Sequence, residues 1–73
     1  MRRDNQSIIR QHRAKLALTQ EALGELMNVS ANTIRSWENN FTQPNVHQIV
    51  MLSVYLDVTL DELMSVYNNK EEE

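Results

Sequence analysis

Residues 20–38 read QEALGELMNVSANTIRSWE, from Gln20 to Glu38, and this stretch decides the fold. Leu23 and Met27 lie four residues apart, with Leu26 on the same apolar stripe, and Ile34 and Trp37 lie three apart, spacings that bring side chains onto one face of a helix. Val29 falls between the two pairs, so two short crossing helices would bury Leu23, Met27, Val29, Ile34 and Trp37 together. Gly24 is small where the second helix of the pair must come close to the first, and Asn28 supplies a turn, because asparagine tolerates the left-handed backbone. Thr19 and Ser30 stand just ahead of the two helical runs, where a hydroxyl caps the first turn. With Ile34 and Trp37 inward, Asn32, Arg35, Ser36 and Asn39 point outward, and Ala31 sits at the edge. Glu38 falls about 40° from Ile34 on the same wheel. It is therefore on the inward side at a helix C-terminus, where both desolvation and the helix dipole oppose a carboxylate, and it requires a cation.

Working outward from this core, Ile9, His12, Arg13 and Leu16 recur at one helical face and predict a preceding helix from about residue 5 to residue 16. Downstream, Pro44-Asn45 opens a fourth helix carrying Val46, Ile49, Val50, Ser53 and Leu56. Thr59 and Glu62 form a capping box that starts a fifth, with Leu60, Leu63, Met64 and Tyr67. The breaks avoid glycine. Asn28, Asn40 and Asp57 each follow a helical run where a left-handed residue would turn the chain, the alternative being ordinary polar loop positions. The expected organisation is one all-α domain over residues 1–67, with helices two and three forming the crossed pair, followed by a disordered acidic tail over residues 68–73.

Composition agrees and excludes other classes. One Gly and one Pro in 73 residues leave few turn positions for an all-β fold, and 41% hydrophobic content suffices for one small core. With no cysteine, disulfides and thiolate metal sites are ruled out, and His12 and His47 are too isolated to suggest zinc. No Gly-rich phosphate loop, no Ser/His/Asp arrangement and no carboxylate cluster in a cleft is present, so catalysis, cofactors and metals are not expected. The polar segment after Met1 and the lack of any long apolar run predict a cytoplasmic protein without a membrane span. Net charge is −3, but it is unevenly distributed. Residues 1–40 carry six cations against four acids, and residues 41–73 carry Lys70 alone against six acids. Any anion-binding face lies in the first half.

Thr19-Gln20, Val29-Ser30, Ile34 and Trp37-Glu38-Asn39 resemble the pattern of the phage repressor/Cro (Xre-like) family of helix-turn-helix DNA-binding domains. The run PNVHQIVMLSVYLDVTLDELM, residues 44–64, is similar to that family's fourth and fifth helices without a gap. The resemblance covers roughly residues 8–64 and implies a five-helix, lambda-repressor-like fold. It also implies sequence-specific binding of double-stranded DNA by a small bacterial or phage transcriptional regulator, with helix three, about residues 31–39, in the major groove. On that reading Ala31, Asn32, Arg35 and Ser36 contact bases. Asn32 can pair bidentately with adenine, Ala31 can touch a thymine methyl, and Arg35 reaches either guanine or a phosphate. Thr19, Gln20, Ser30 and Asn39 would contact phosphates, Gln20 at the position of the family's phosphate-binding glutamine. Arg13 and Glu38 match a family pair that forms a buried salt bridge. The family's usual cation in the loop after helix three is missing: NNFTQPNV, residues 39–46, has none and carries Phe41. With about four or five phosphates neutralised per subunit, monomer binding is expected to be weak and its salt dependence shallow.

Trp37, Tyr55 and Tyr67 have aliphatic neighbours at helical spacing and are assigned to core or interface rather than to base stacking. His12 is read as a partly buried structural histidine. Met51, Val54 and Tyr55, with Val58, are expected to leave an apolar patch that marks a partner surface. A homodimer on a palindromic site is the natural partner arrangement, and a different protein, such as a toxin or an anti-repressor, is the rival. The competing function is a protein-interaction module that keeps the fold and binds DNA weakly or not at all.

Overall fold

A computed structural model describes residues 7–67. Five helices follow one another: α1 (Ile8–Lys15), α2 (Gln20–Met27), α3 (Ala31–Glu38), α4 (Val46–Leu56) and α5 (Leu60–Tyr67), with no strand among the described residues. Four of the five have only eight residues, a length at which an isolated helix does not hold in water. Side-chain caps and packing hold them instead. The Ser7, Thr19, Ser30 and Thr59 hydroxyls and the Asn45 side-chain oxygen each accept the third backbone N–H of the following helix, at 2.8–3.1 Å. Gln48 Oε1 accepts in return from the Asn45 backbone N–H at 2.9 Å and completes a capping box. Each such cap contributes on the order of 1 kcal/mol.

The first helix begins later than its periodicity predicts. Ser7 is extended (ψ 147°) and caps the helix, so α1 starts at Ile8 and not near residue 5. Residues 1–6 and the acidic tail 68–73 lie outside the described residues. Asn28, Asn40 and Asp57 all adopt the left-handed conformation, with φ of 63°, 63° and 58°. Ala17 does so too (φ 58°), without any sequence signal for it. Its geometry lets the Leu18 N–H reach back to the Arg13 carbonyl at 3.0 Å, which closes the end of α1.

One core gathers Ile9 from α1, Leu23 and Met27 from α2, Ile34 and Trp37 from α3, and Ile49, Leu52 and Leu56 from α4. Val58, Leu63 and Tyr67 close it. Several stripe assignments need correction. Leu16, Leu26, Val46, Val50 and Leu60 are all more than two-fifths exposed. In α4 the buried face runs through Ile49, Leu52 and Leu56 rather than through Val46, Val50 and Ser53, because VHQIVMLSVYL is apolar nearly all round and its periodicity does not fix a phase. Val58, expected in an exposed patch, is buried in the core, since the left-handed Asp57 turns the chain inward behind it.

Gly24 has a specific steric role. A Cβ there would lie 2.7 Å from the Val29 carbonyl oxygen and 3.3 Å from the Ser30 carbonyl carbon. The Val29 N–H donates to the Gly24 carbonyl at 2.8 Å. The glycine therefore admits the backbone of the turn between α2 and α3, and the close approach is to that turn rather than to the body of the next helix.

Candidate nucleic-acid interface

α3 is anchored on one side and open on the other. Ile34 and Trp37 are buried, and Glu38 next to them is 8% exposed. The opposite side presents Asn32, Arg35 and Asn39 to solvent, with Ala31 and Ser36 half-buried at its margins. The four residues expected to meet bases thus share one surface of a single rigid helix.

Glu38 fixes how that helix sits. Arg13 Nε donates to Glu38 Oε2 at 2.7 Å, and Arg13 Nη2 to Oε1 at 3.3 Å. Gln20 Nε2 donates to Oε1 at 3.0 Å, and Arg13 Nη1 holds the Leu18 carbonyl at 2.8 Å. One carboxylate therefore joins α1, the start of α2 and the end of α3. Burial, and after it the Glu38 charge, pushes the phenol of Tyr67 on the last helix up to about 12.

The expected phosphate-contacting residues flank α3. Thr19 is exposed at the start of α2, and its hydroxyl is taken by the Ala22 N–H at 2.9 Å. The first N–H groups of that helix have no acceptor within it and carry the positive end of its dipole. Gln20 differs from expectation: it is half-buried and its amide nitrogen is bonded to Glu38. A primary amide keeps a second N–H, so the side chain can orient the clamp and still face outward. Ser30 is exposed, caps α3 and shares a 3.1 Å hydrogen bond with the Thr33 hydroxyl. Asn39 closes the C-terminal end of α3. Exposed cations on these elements are Arg10 and Lys15 of α1 and Arg35 of α3.

The loop after α3 sets Phe41 in a place that its residue type does not indicate. Asn40, left-handed, folds the chain back so that the Phe41 N–H donates to the Ser36 carbonyl at 2.9 Å. Phe41 is 78% exposed. With Thr42 it forms one wall of an open groove of about 450 Å³ whose other wall is Asn32, Thr33, Arg35 and Ser36. The missing loop cation was a signal that this position differs, but nothing in the residue type placed it beside α3. Val54 and Tyr55 are exposed on α4, Met51 is half-buried against the core, and Val58 is buried and contributes nothing to that surface. His12 is half-buried, in a cleft between α1 and α5. Among the described residues no three His, Asp or Glu side chains converge to hold a metal ion, and no helix is long and apolar enough to cross a membrane.

This geometry has known counterparts. The chain is 39% identical over 57 residues to the HTH-type transcriptional activator BcrR of Enterococcus faecalis, which covers 78% of this chain and 28% of that protein. It is 39% identical over 56 residues to the repressor protein C2 of Salmonella phage P22, covering 77% of this chain and 26% of that protein. The chain thus spans about a quarter of the length of these relatives. Its fold matches the crystal structure of the P22 c2 repressor in complex with a synthetic operator, with a TM-score of 0.71 and 40% identity over 75% of this chain and 83% of that one. A family model described as helix-turn-helix matches residues 9–63. By its sequence, its five helices and the crossed pair α2–α3, the chain belongs to the helix-turn-helix family.

Proposed function

We propose that this domain binds double-stranded DNA in a sequence-specific manner as part of a transcriptional regulator, with α3 in the major groove. The observation that carries the reading is the division of α3 into an anchored face and an open face. Ile34 and Trp37 are buried and Glu38 is bonded to α1 and α2, and Asn32 and Arg35 project from the opposite side. Support comes from the fold match to a repressor solved with its operator. Asn32 reads adenine, Arg35 reads guanine or a phosphate, and Ala31 and Ser36 contribute edge contacts. The N-terminal N–H groups of α2, the second N–H of Gln20, and Ser30 and Asn39 hold phosphates and set the register of α3. The role is binding rather than catalysis, and the protein works in the cytoplasm where its DNA lies. Selection from random duplexes is expected to enrich one consensus with two half-sites about 10 base pairs apart, the spacing at which a two-fold dimer meets the same face of DNA. Enrichment of no sequence, with no retention on DNA even at low salt, would favour the protein-interaction module instead.

The dimer is part of the same reading. Val54 and Tyr55 are exposed on α4 beside the half-buried Met51, a placement that suits contact with a second copy better than with water. Val54→Glu is expected to abolish dimerisation on DNA in sedimentation measurements and to leave helicity unchanged. A dimer of undiminished affinity in that variant would place the interface elsewhere, and binding to a heterologous protein at this face would favour the rival partner.

A further inference from the structure

We propose that Phe41 is a specificity-determining residue that contacts a thymine methyl group at the edge of the sequence read by α3; this rests on the DNA-binding reading above. Phe41 is the most exposed large apolar residue among those described, at 78%. A ring of that size left in water gains nothing for the fold, and none of the core residues depends on it. Its backbone, by contrast, is fixed. The left-handed Asn40 reverses the chain, and the Phe41 and Thr42 N–H groups both point to the Ser36 carbonyl, at 2.9 and 3.4 Å. The ring therefore stands at a set position along α3 and not on a free loop.

That position is shared with the open face of α3. Phe41 and Thr42 face Asn32, Arg35 and Ser36 across one groove. A duplex whose base edges meet Asn32 and Arg35 brings its major-groove wall into this groove. The apolar feature that a major groove offers is the thymine 5-methyl, and phenylalanine is among the side chains that contact it. No cation lies in residues 39–46, so this wall of the site is suited to an apolar contact rather than to a phosphate. Phe41 thereby supplies sequence preference where a loop lysine would supply only charge.

The test uses the whole chain and its selected duplex, with each thymine replaced in turn by deoxyuridine, which removes only the methyl group. Wild type is expected to lose about fourfold in affinity at one position per half-site, the factor corresponding to one buried methyl. Phe41→Ala is expected to bind the thymine duplex about tenfold more weakly, to lose nothing further at that position, and to keep the wild-type salt slope. Phe41→Leu should restore part of the methyl sensitivity. Equal deoxyuridine losses in wild type and Phe41→Ala, or an unchanged affinity in Phe41→Ala, would overturn the role of Phe41 and leave site-specific binding by α3 standing. A wild type that prefers no sequence would remove both readings together.

Discussion

At Glu38 a carboxylate is held almost out of solvent by three donors, two from Arg13 and one from Gln20. Removing it leaves the Arg13 guanidinium, itself 15% exposed, without its counter-charge. Glu38→Ala is expected to lower unfolding free energy by about 3 kcal/mol in a urea titration, toward the low end for a broken buried pair because water reaches Arg13. A loss under about 1 kcal/mol, the range of exposed pairs, would mean the pair is not buried in solution. This contact was legible in the sequence because an acid on the apolar side of a helix demands a cation, and Arg13 lay on a face that could supply one. The bond from Gln20 was not, since a glutamine at a helix start is equally suited to solvent, phosphate or a neighbouring carboxylate. Ala17 was illegible for a related reason: alanine carries no preference for positive φ, and only the closing bond from Leu18 to Arg13 reveals why it turns there.

Helix termini were read more reliably than helix faces. Thr19, Ser30 and Thr59 cap as their chemistry dictates, and the three polar turn residues take the left-handed conformation. In α3 the buried face follows the expected spacing, because the polar Arg35 and Ser36 separate Ile34 from Trp37 and fix the phase, and in α2 Leu23 and Met27 are buried while Leu26, between them, is exposed. In α4 no such contrast exists, and periodicity points to Val46 and Val50, which face solvent, instead of to the fully buried Leu52. The turn between α2 and α3 passes so close to Gly24 that no Cβ fits there without a shift. Gly24→Ala gains about 1 kcal/mol in helix propensity, yet its methyl would meet the Val29 carbonyl at 2.7 Å, and backbone must shift to accept it. The expected net result is a destabilisation of about 1–3 kcal/mol, read as a lower melting temperature. A variant at least as stable as wild type would show that the turn relaxes freely.

Among the described residues every lysine and arginine lies on α1 or α3, and none lies on the last two helices. The buried Tyr67 phenol, pushed up to about 12 by its burial and by Glu38, gives the fold a pH signature. Its native pKa lies above that of an unfolded tyrosine, near 10, so its contribution is complete below about pH 10 and is lost as pH rises toward 12. Stability is expected to fall by up to about 2–3 kcal/mol more across that window in wild type than in Tyr67→Phe. Parallel pH profiles would contradict the burial of the phenol. The overall architecture was legible because caps, turns and the α2–α3 pattern agree with one another, whereas the groove beside α3 needed the path of the loop in space. What binds there is the central claim, and Asn32 tests it most directly, since its side chain is exposed and Asn32→Ala leaves the core and the Glu38 network untouched. Affinity of wild type and Asn32→Ala should be measured at one salt concentration on the selected duplex and on a scrambled one. A loss of about 1–3 kcal/mol on the selected site, with little change on the scrambled duplex, is the expected result. Equal losses on both duplexes, or none on either, would contradict reading of sequence by α3.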